Sequence, residues 1–198
     1  MKKLITRLCL SVVLLGATAA YAGSVKEYSA SMVDVASGRV AQKIAVAPDK
    51  VYSEGYNEQG ELKARIIIRL DRRKMHFILE DSKSYAELPF NKSSFSTVDF
   101  TLGMIETVKK EELGTQTVNG YKAVKYGSTV KVSGTSLKVF QWIAPEFDPM
   151  PIRVEVNGVV REMRDIQISS PEVSLFELPD GYTRNMKMED AVKNMMGM

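Results

Sequence analysis

Residues 62–79 read LKARIIIRLDRRKMHFIL, and this stretch decides the fold. From 62 to 70 the even positions are apolar, while three of the odd positions are Lys63, Arg65 and Arg69. A period of two is typical of a β-strand with one face on a core and the other in water. A polar turn follows, and the alternation resumes at positions 75, 77 and 79. The stretch therefore predicts an antiparallel hairpin.

Comparable segments extend this pattern along the chain. Two Asn-Gly pairs, at 119–120 and 157–158, lie between apolar runs and predict type I′ hairpin turns, which require positive φ at both central residues. Further strands are predicted at 26–35, 39–46, 51–56, 83–88, 115–118, 122–132, 137–144, 152–156, 159–163 and 164–168. About ten strands in this order indicate a meander of hairpins.

Two segments have a helical pattern. In 97–112, Val98, Leu102, Ile105 and Val108 recur every three or four residues; a second helix is predicted at 188–196. The predicted class is α+β and mostly antiparallel β. We expect a highly curved sheet or an unclosed β-barrel, with one or two helices on its concave side.

The first 22 residues are predicted to be a cleaved signal peptide. A basic start and a short apolar run precede an Ala-x-Ala sequence that ends at Ala22. The apolar run is shorter than the roughly 20 residues that a membrane span requires. We expect cleavage after Ala22, a periplasmic location, a β-rich domain at 23–184 and a methionine-rich tail at 185–198. An integral membrane protein is not expected.

Removal of the leader changes charge and cysteine content. Three of the 27 Lys and Arg residues lie in the leader, so 24 remain against 24 Asp and Glu. Zero net charge gives no support for nucleic-acid binding. Cys9, the only cysteine, also lies in the leader, so the mature chain is expected to lack disulfides and thiolate chemistry.

The patterns of catalytic sites are missing from the sequence. The only histidine is His76, predicted to lie on the wet face of a strand as a structural or surface residue. No Gly-x-Ser-x-Gly elbow accompanies it, and no HExxH-like spacing indicates zinc. The pairs of adjacent carboxylates lie at predicted turns and helix ends. Neither an enzyme nor a cofactor is predicted.

Positive charge is concentrated on the 62–79 hairpin. Two interpretations remain open. The charged residues lie on a solvated strand face and turn, or they form a basic patch that binds anionic lipid head groups or an acidic partner. The patch residues are Arg65, Arg69, Arg72, Arg73 and Lys74.

Five methionines crowd the last thirteen residues. Three interpretations remain open: an adaptable lid or plug over an apolar groove, a thioether site for Cu(I), and a frayed end. These residues are Met186, Met188, Met195, Met196 and Met198.

Four passages carry a resemblance to a known family. They are 49–52 with the meander through 85, GTQTVNGYK at 114–122, VFQWIAP at 139–145 and SLFELPDGY at 174–182. In these the chain resembles a family of uncharacterised bacterial periplasmic domains related to the outer-membrane lipoprotein carriers. The resemblance implies an unclosed antiparallel barrel around an apolar cavity, which in the carriers holds acyl chains. The functional arginine of the carriers has no assigned counterpart here.

Three functional hypotheses follow. The first is a periplasmic binding protein, without catalysis, for a lipid or a lipidated chain. The second is an envelope interaction or stress-sensing module with a packed core and a protein partner, and the third is Cu(I) handling by the tail. The candidate cavity-lining residues of the first hypothesis are Ile66, Ile68, Leu70, Phe77, Leu79, Leu102, Ile105 and Trp142.

Overall fold

The structure is a computed structural model that describes residues 26–89, 105–132, 135–148 and 150–185. Its described part is dominated by eleven strands, with three short 3-10 helices at Leu70–Arg72, Pro145–Phe147 and Val173–Phe176. The strands are β1 (Tyr28–Asp34), β2 (Val40–Ala47), β3 (Lys50–Tyr56), β4 (Leu62–Arg69), β5 (Lys74–Leu79), β6 (Ser84–Pro89), β7 (Ile105–Val118), β8 (Tyr121–Val132), β9 (Thr135–Ile143), β10 (Arg153–Val156) and β11 (Val159–Gln167).

All eleven strands belong to one antiparallel sheet. Their order is β6-β5-β4-β3-β2-β1-β11-β10-β9-β8-β7, so β1 and β11, the first and last strands of the described residues, pair in the middle of the sheet. Among the described strands, β6 and β7 follow one another in the chain but form the two opposite edges of the sheet. The sheet is not closed into a barrel, which confirms the predicted open antiparallel architecture.

The two predicted Asn-Gly turns are present. Asn119 and Asn157 both have φ of 49°, and each following glycine has φ of 84°. Glycine adopts positive φ without steric cost, and asparagine tolerates it better than most residues. The two pairs therefore set the tight connections β7–β8 and β10–β11.

The two faces of the sheet differ. The core face carries one continuous apolar cluster that includes residues from both halves, such as Ile68 and Phe77 from one half and Val139 and Val154 from the other. In the β2–β6 half, the opposite face holds a smaller cluster made with the segment after β11. A sheet with this many strands curves, and the curvature buries the concave face. Between β9 and β10, the side chains of Phe147, Met150 and Ile152 also join the core cluster.

The helix predicted at 97–112 is wrong for residues 105–112, which form the first part of β7. The remainder, 97–104, lies outside the described residues, as does the helix predicted at 188–196. The register of β7 against β8 shifts between Thr107 and Lys109 and again between Glu112 and Thr115. Each irregularity interrupts the period of two, so the strand lacks the alternation that identified the others.

The strands predicted at 159–163 and 164–168 form a single strand, β11. Asp165 has φ of 53°, and the register against β1 shifts opposite it, between Ser29 and Ser31. This irregularity explains why the sequence pattern is broken there.

Candidate ligand site

The candidate cavity residues on β4 and β5 lie together. Ile66, Ile68 and Phe77 belong to the core cluster, none of them more than 7% exposed. Leu70 is buried in the same cluster, and Leu79 packs against it partly buried. Leu102 lies outside the described residues, and Ile105 is the first residue of β7. The alternation of residues 62–79 thus identified the correct apolar face.

Trp142, the remaining candidate, is buried with cations on both sides. Lys125 of β8 and Arg153 of β10 are its direct cross-strand partners, and their charged groups lie 4.6 and 5.0 Å from a ring centroid. The indole nitrogen donates a 2.6 Å hydrogen bond to Oε1 of Gln116. Cation–π contacts of this kind stabilise neighbouring strands.

A cavity of about 710 Å³ lies at the end of the sheet where three turns meet. These turns join β1 to β2, β3 to β4, and β10 to β11. Its volume falls in the range of small-molecule sites, about 300–1,000 Å³. The apolar part of the lining includes Val35, Val40, Val159 and Val160, and the charged residues are Asp34, Arg39, Glu58 and Arg161.

Arg161 lies at the meeting point of this cavity and the core face. It pairs with Val154 of β10 on one side and with Asp34 of β1 on the other. The residues two positions before and after it on β11, Val159 and Met163, lie on the same face of the sheet and contact the core cluster. The side chain is buried, at 8% exposure. Burial lowers the pKa of Arg161 to about 10; the charge of Asp34 opposes the shift and that of Arg39 adds to it.

Asp34 is held by the turn that follows it. Its Oδ1 accepts hydrogen bonds of 2.9 Å from both the main-chain nitrogen and the hydroxyl group of Ser37. Burial alone would raise the pKa of Asp34, but the Ser37 hydrogen bonds and the charge of Arg161 outweigh burial and lower it. Asp34 therefore remains a carboxylate beside Arg161.

Arg161 was missed at the sequence level, although a signal was present. In VVREM at 159–163, the arginine occupies the alternation position of the apolar face, between Val159 and Met163. A charged residue on a core face requires a compensating group or a function. That conflict between pattern and residue type would have identified the position.

The predicted basic patch is largely paired within the chain. Arg69 is 4% exposed and binds Asp71 and Glu177, and Arg72 binds the same Glu177 at 2.9 Å. The hydrogen bonds that Arg69 donates to Asp71 and to Glu177 raise the pKa of Arg69 despite burial. Arg65 forms an ion pair with Glu80 at 2.7 Å, and Lys74 forms one with Glu87 at 3.2 Å. Arg73 is exposed, and its φ of 53° places it in the left-handed region of a turn.

One of these carboxylates, Glu177, comes from a C-terminal segment that the sequence did not place. Phe176 in this segment is 2% exposed and packs on the opposite face over Tyr52, Ile67 and Ile78. Farther along, the hydroxyl of Tyr182 donates a 2.7 Å hydrogen bond to Glu80. The segment therefore covers the strand face that the alternation predicted to be wet.

His76 is a structural residue, but the prediction of a wet position is wrong. It is 8% exposed, lies 3.3 Å from a carboxylate oxygen of Glu87, and makes an edge contact with Tyr85 at 5.9 Å. Burial lowers the pKa of His76, and the hydrogen bond to Glu87 opposes that shift. Its neighbours on β6 thus shield it from water.

The described residues have neither a metal-binding cluster nor a membrane-spanning helix. They contain no group of three or more His, Cys, Asp or Glu residues arranged to hold a metal ion. In the same part of the chain, no helix has the length and apolar character needed to cross a bilayer. The five tail methionines and the predicted signal peptide lie outside the described residues.

The protein is thus a mostly antiparallel β-protein built on one open sheet. Its sequence matches no established family and no curated protein. Solved structures similar in fold include an uncharacterized conserved protein from Thermus thermophilus, with TM-score 0.49 and 11% identity over 92% of this chain and 96% of that one. LprF from Mycobacterium bovis has TM-score 0.31 and 12% identity, covering 87% and 97%. The Mycobacterium tuberculosis lipoprotein LppX has TM-score 0.33 and 16% identity, covering 85% and 94%. At these values the similarity supports no inference about a ligand.

Proposed function

We propose that this chain is an exported periplasmic binding protein, without catalysis, that holds a lipid or a lipidated chain. The observation that carries the proposal is the junction of an apolar core face with the 710 Å³ cavity at the end of the sheet. Val159 lines the cavity and packs against the core cluster, so an apolar ligand entering there would meet the core face. Burial of apolar surface would supply most of the binding free energy.

The alternative of a basic hairpin that recruits an acidic partner has less support. Arg65, Arg69, Arg72 and Lys74 each pair with a carboxylate of the same chain. A partner would have to displace those pairs. Handling of Cu(I) by the tail stays a prediction, and deletion of residues 185–198 with measurement of Cu(I) affinity tests it.

Native mass spectrometry tests the binding proposal directly. The protein is purified from the periplasm without detergent, and we expect extra mass that is released as lipid. A bare protein mass, together with no uptake of added oleate or phospholipid, would contradict the proposal. The same spectrum shows whether the mature chain begins at residue 23.

A variant that fills the cavity gives a second test. Val35 lines the cavity and is 47% exposed, so Val35→Trp can narrow it without disturbing the core. We expect lipid retention to fall while the urea midpoint stays unchanged. Val173→Trp is the matched control, because Val173 is 69% exposed and lies outside the cavity lining. If both variants retained equal amounts of lipid, the lipid would bind outside this cavity or would not bind at all.

A further inference from the structure

We infer that the ligand has an uncharged head group that carries hydroxyl groups, bound beside two pairs of opposite charges in the cavity. This inference rests on the proposed binding function and specifies its ligand. Among the described residues that line the cavity, two are cationic and two are anionic, so their charges sum to zero. These residues are Arg39, Arg161, Asp34 and Glu58.

One pair of charges lies in the buried part of the cavity. Arg161 is 8% exposed, and Asp34 is its partner in the β1–β11 register. The charge of Arg161 helps to lower the pKa of Asp34, and the charge of Asp34 opposes the lowering of the pKa of Arg161. Asp34 also accepts two hydrogen bonds of 2.9 Å from Ser37, and Arg161 has further interactions within the chain. Neither group therefore requires a counter-charge from a ligand.

The second pair lies at the exposed mouth of the cavity. Arg39 follows β1 and Glu58 follows β3, and both residues are exposed. The Nη1 atom of Arg39 donates a 2.5 Å hydrogen bond to the main-chain oxygen of Glu58, which brings the two residues together. Glu58 also has a further interaction within the chain. A cation and a carboxylate are thus neighbours both inside the cavity and at its mouth.

Such pairs favour a neutral head group over a charged one. An anionic head group would be attracted by the guanidinium group and repelled by the neighbouring carboxylate, and a cationic head group would meet the reverse. The two effects offset each other, whereas the cost of removing the head group from water remains. A hydroxyl group can donate a hydrogen bond to the carboxylate and accept one from the guanidinium group. Val40, Val159 and Val160 provide apolar surface for the acyl chain.

Four ligands with the same eighteen-carbon chain test the inference on the mature full-length protein. Monoolein has two hydroxyl groups, methyl oleate has none, and at neutral pH oleate is an anion and oleylamine a cation. Isothermal titration calorimetry below the concentration at which the lipids aggregate gives the affinities. We expect monoolein to bind about tenfold more tightly than each of the other three, the difference that one or two net hydrogen bonds provide.

Removal of one charge from the buried pair should change the selection. Asp34→Asn keeps an acceptor oxygen at this position but removes the charge that offsets Arg161. We expect oleate to bind about tenfold more tightly than it binds the wild type and oleylamine to bind more weakly, while monoolein changes by less than about threefold. Glu58→Gln, at the exposed mouth, should act in the same direction and preserves the test if Asp34→Asn does not fold. Asp81→Asn is the matched control, because Asp81 is exposed and lies outside the cavity.

The contrary outcomes are distinct. If oleate or oleylamine bound the wild type as tightly as monoolein, the neutral head group would be overturned, and equal binding of methyl oleate would overturn recognition of the hydroxyl groups. Unchanged oleate affinity in both Asp34→Asn and Glu58→Gln would overturn the role of the charge pairs. Each of these results leaves the binding function intact. Binding of none of the four ligands would refute the proposed function itself.

Discussion

The hydroxyl group of Tyr28 in β1 donates a 2.8 Å hydrogen bond to the main-chain oxygen of Phe147, 119 residues later in the chain. The two rings also meet edge to face, with centroids 5.2 Å apart. Tyr121 makes a second edge contact with Phe147, at 4.8 Å. This relationship ties the first strand to the segment after β9 and closes the core at the end opposite the cavity.

Substitution of Tyr28 by phenylalanine should destabilise the protein by about 1–3 kcal/mol. The change removes the hydroxyl and leaves a buried carbonyl oxygen without this donor, while the ring contact remains. Urea unfolding measures the effect, and an unchanged m value would show that the two states keep their compactness. Tyr28→Leu, which also loses the ring contact, should cost more. If Tyr28→Phe unfolded at the same urea concentration as the wild type, the hydrogen bond would make no net contribution to the free energy of unfolding.

Replacement of Arg69 by methionine should destabilise the protein by about 1.5–3 kcal/mol, because a buried guanidinium loses its charged hydrogen bonds to Asp71 and Glu177, while the two carboxylates left behind are partly exposed to water. The same change at Arg72 should cost less than about 1 kcal/mol, as is usual for exposed pairs. Both arginines bind Glu177, but their side chains are 5% and 53% exposed, so Arg72→Met is a matched control. The comparison is made by urea unfolding at neutral pH, and equal losses would contradict the role of burial.

His76 should make stability depend on pH between neutral and mildly acidic conditions. Its pKa is lowered in the fold, chiefly by burial, with Lys74 and Arg184 adding to the shift and Glu87 opposing it. The unfolded chain, with a histidine pKa of about 6.5, therefore binds a proton that the folded chain does not. The stabilisation is complete above the unfolded pKa and is lost as the pH falls through the lowered folded pKa.

The measurement is the free energy of unfolding from pH 8 to 5 for the wild type and His76→Gln. We expect the variant to have a shallower slope below about pH 6.5, because glutamine does not titrate. Parallel curves would show that other groups set the pH dependence. Glu80 provides a check at lower pH: burial raises its pKa, but hydrogen bonds from Tyr182 and Lys83 outweigh that effect and lower it. Its contribution should be lost only in stronger acid.

Much of the fold could be predicted from local patterns. The alternation in 62–79 identified β4, β5 and their buried face, and the Asn-Gly pairs located two hairpin turns. The strand β7 was missed in its first part because two register irregularities break the period that marks a strand. Where bulges interrupt a strand, its apolar residues no longer recur at every second position, and their spacing can match the three-to-four-residue period of a helix.

The candidate site was harder to predict than the strands. Arg161 interrupts an apolar alternation, but only the register shows that Asp34 faces it and that turns from three hairpins enclose a cavity there. The sequence alone places the charges of the basic hairpin on the surface, because Glu177, which pairs with Arg69, lies 108 residues later in the chain. Charge patterns along a chain do not show which distant segment will neutralise them.

By itself, the sequence determined the antiparallel strands, their apolar face and several of their turns, because these depend on residue spacings of two and on the φ preferences of Asn and Gly. Only the tertiary structure decided that β1 pairs with β11, that the C-terminal segment covers the opposite face, and that Arg161 meets a cavity. The physical reason is that such contacts join residues far apart along the chain. Their free energy depends on burial and charge pairing that exist only once the sheet has formed.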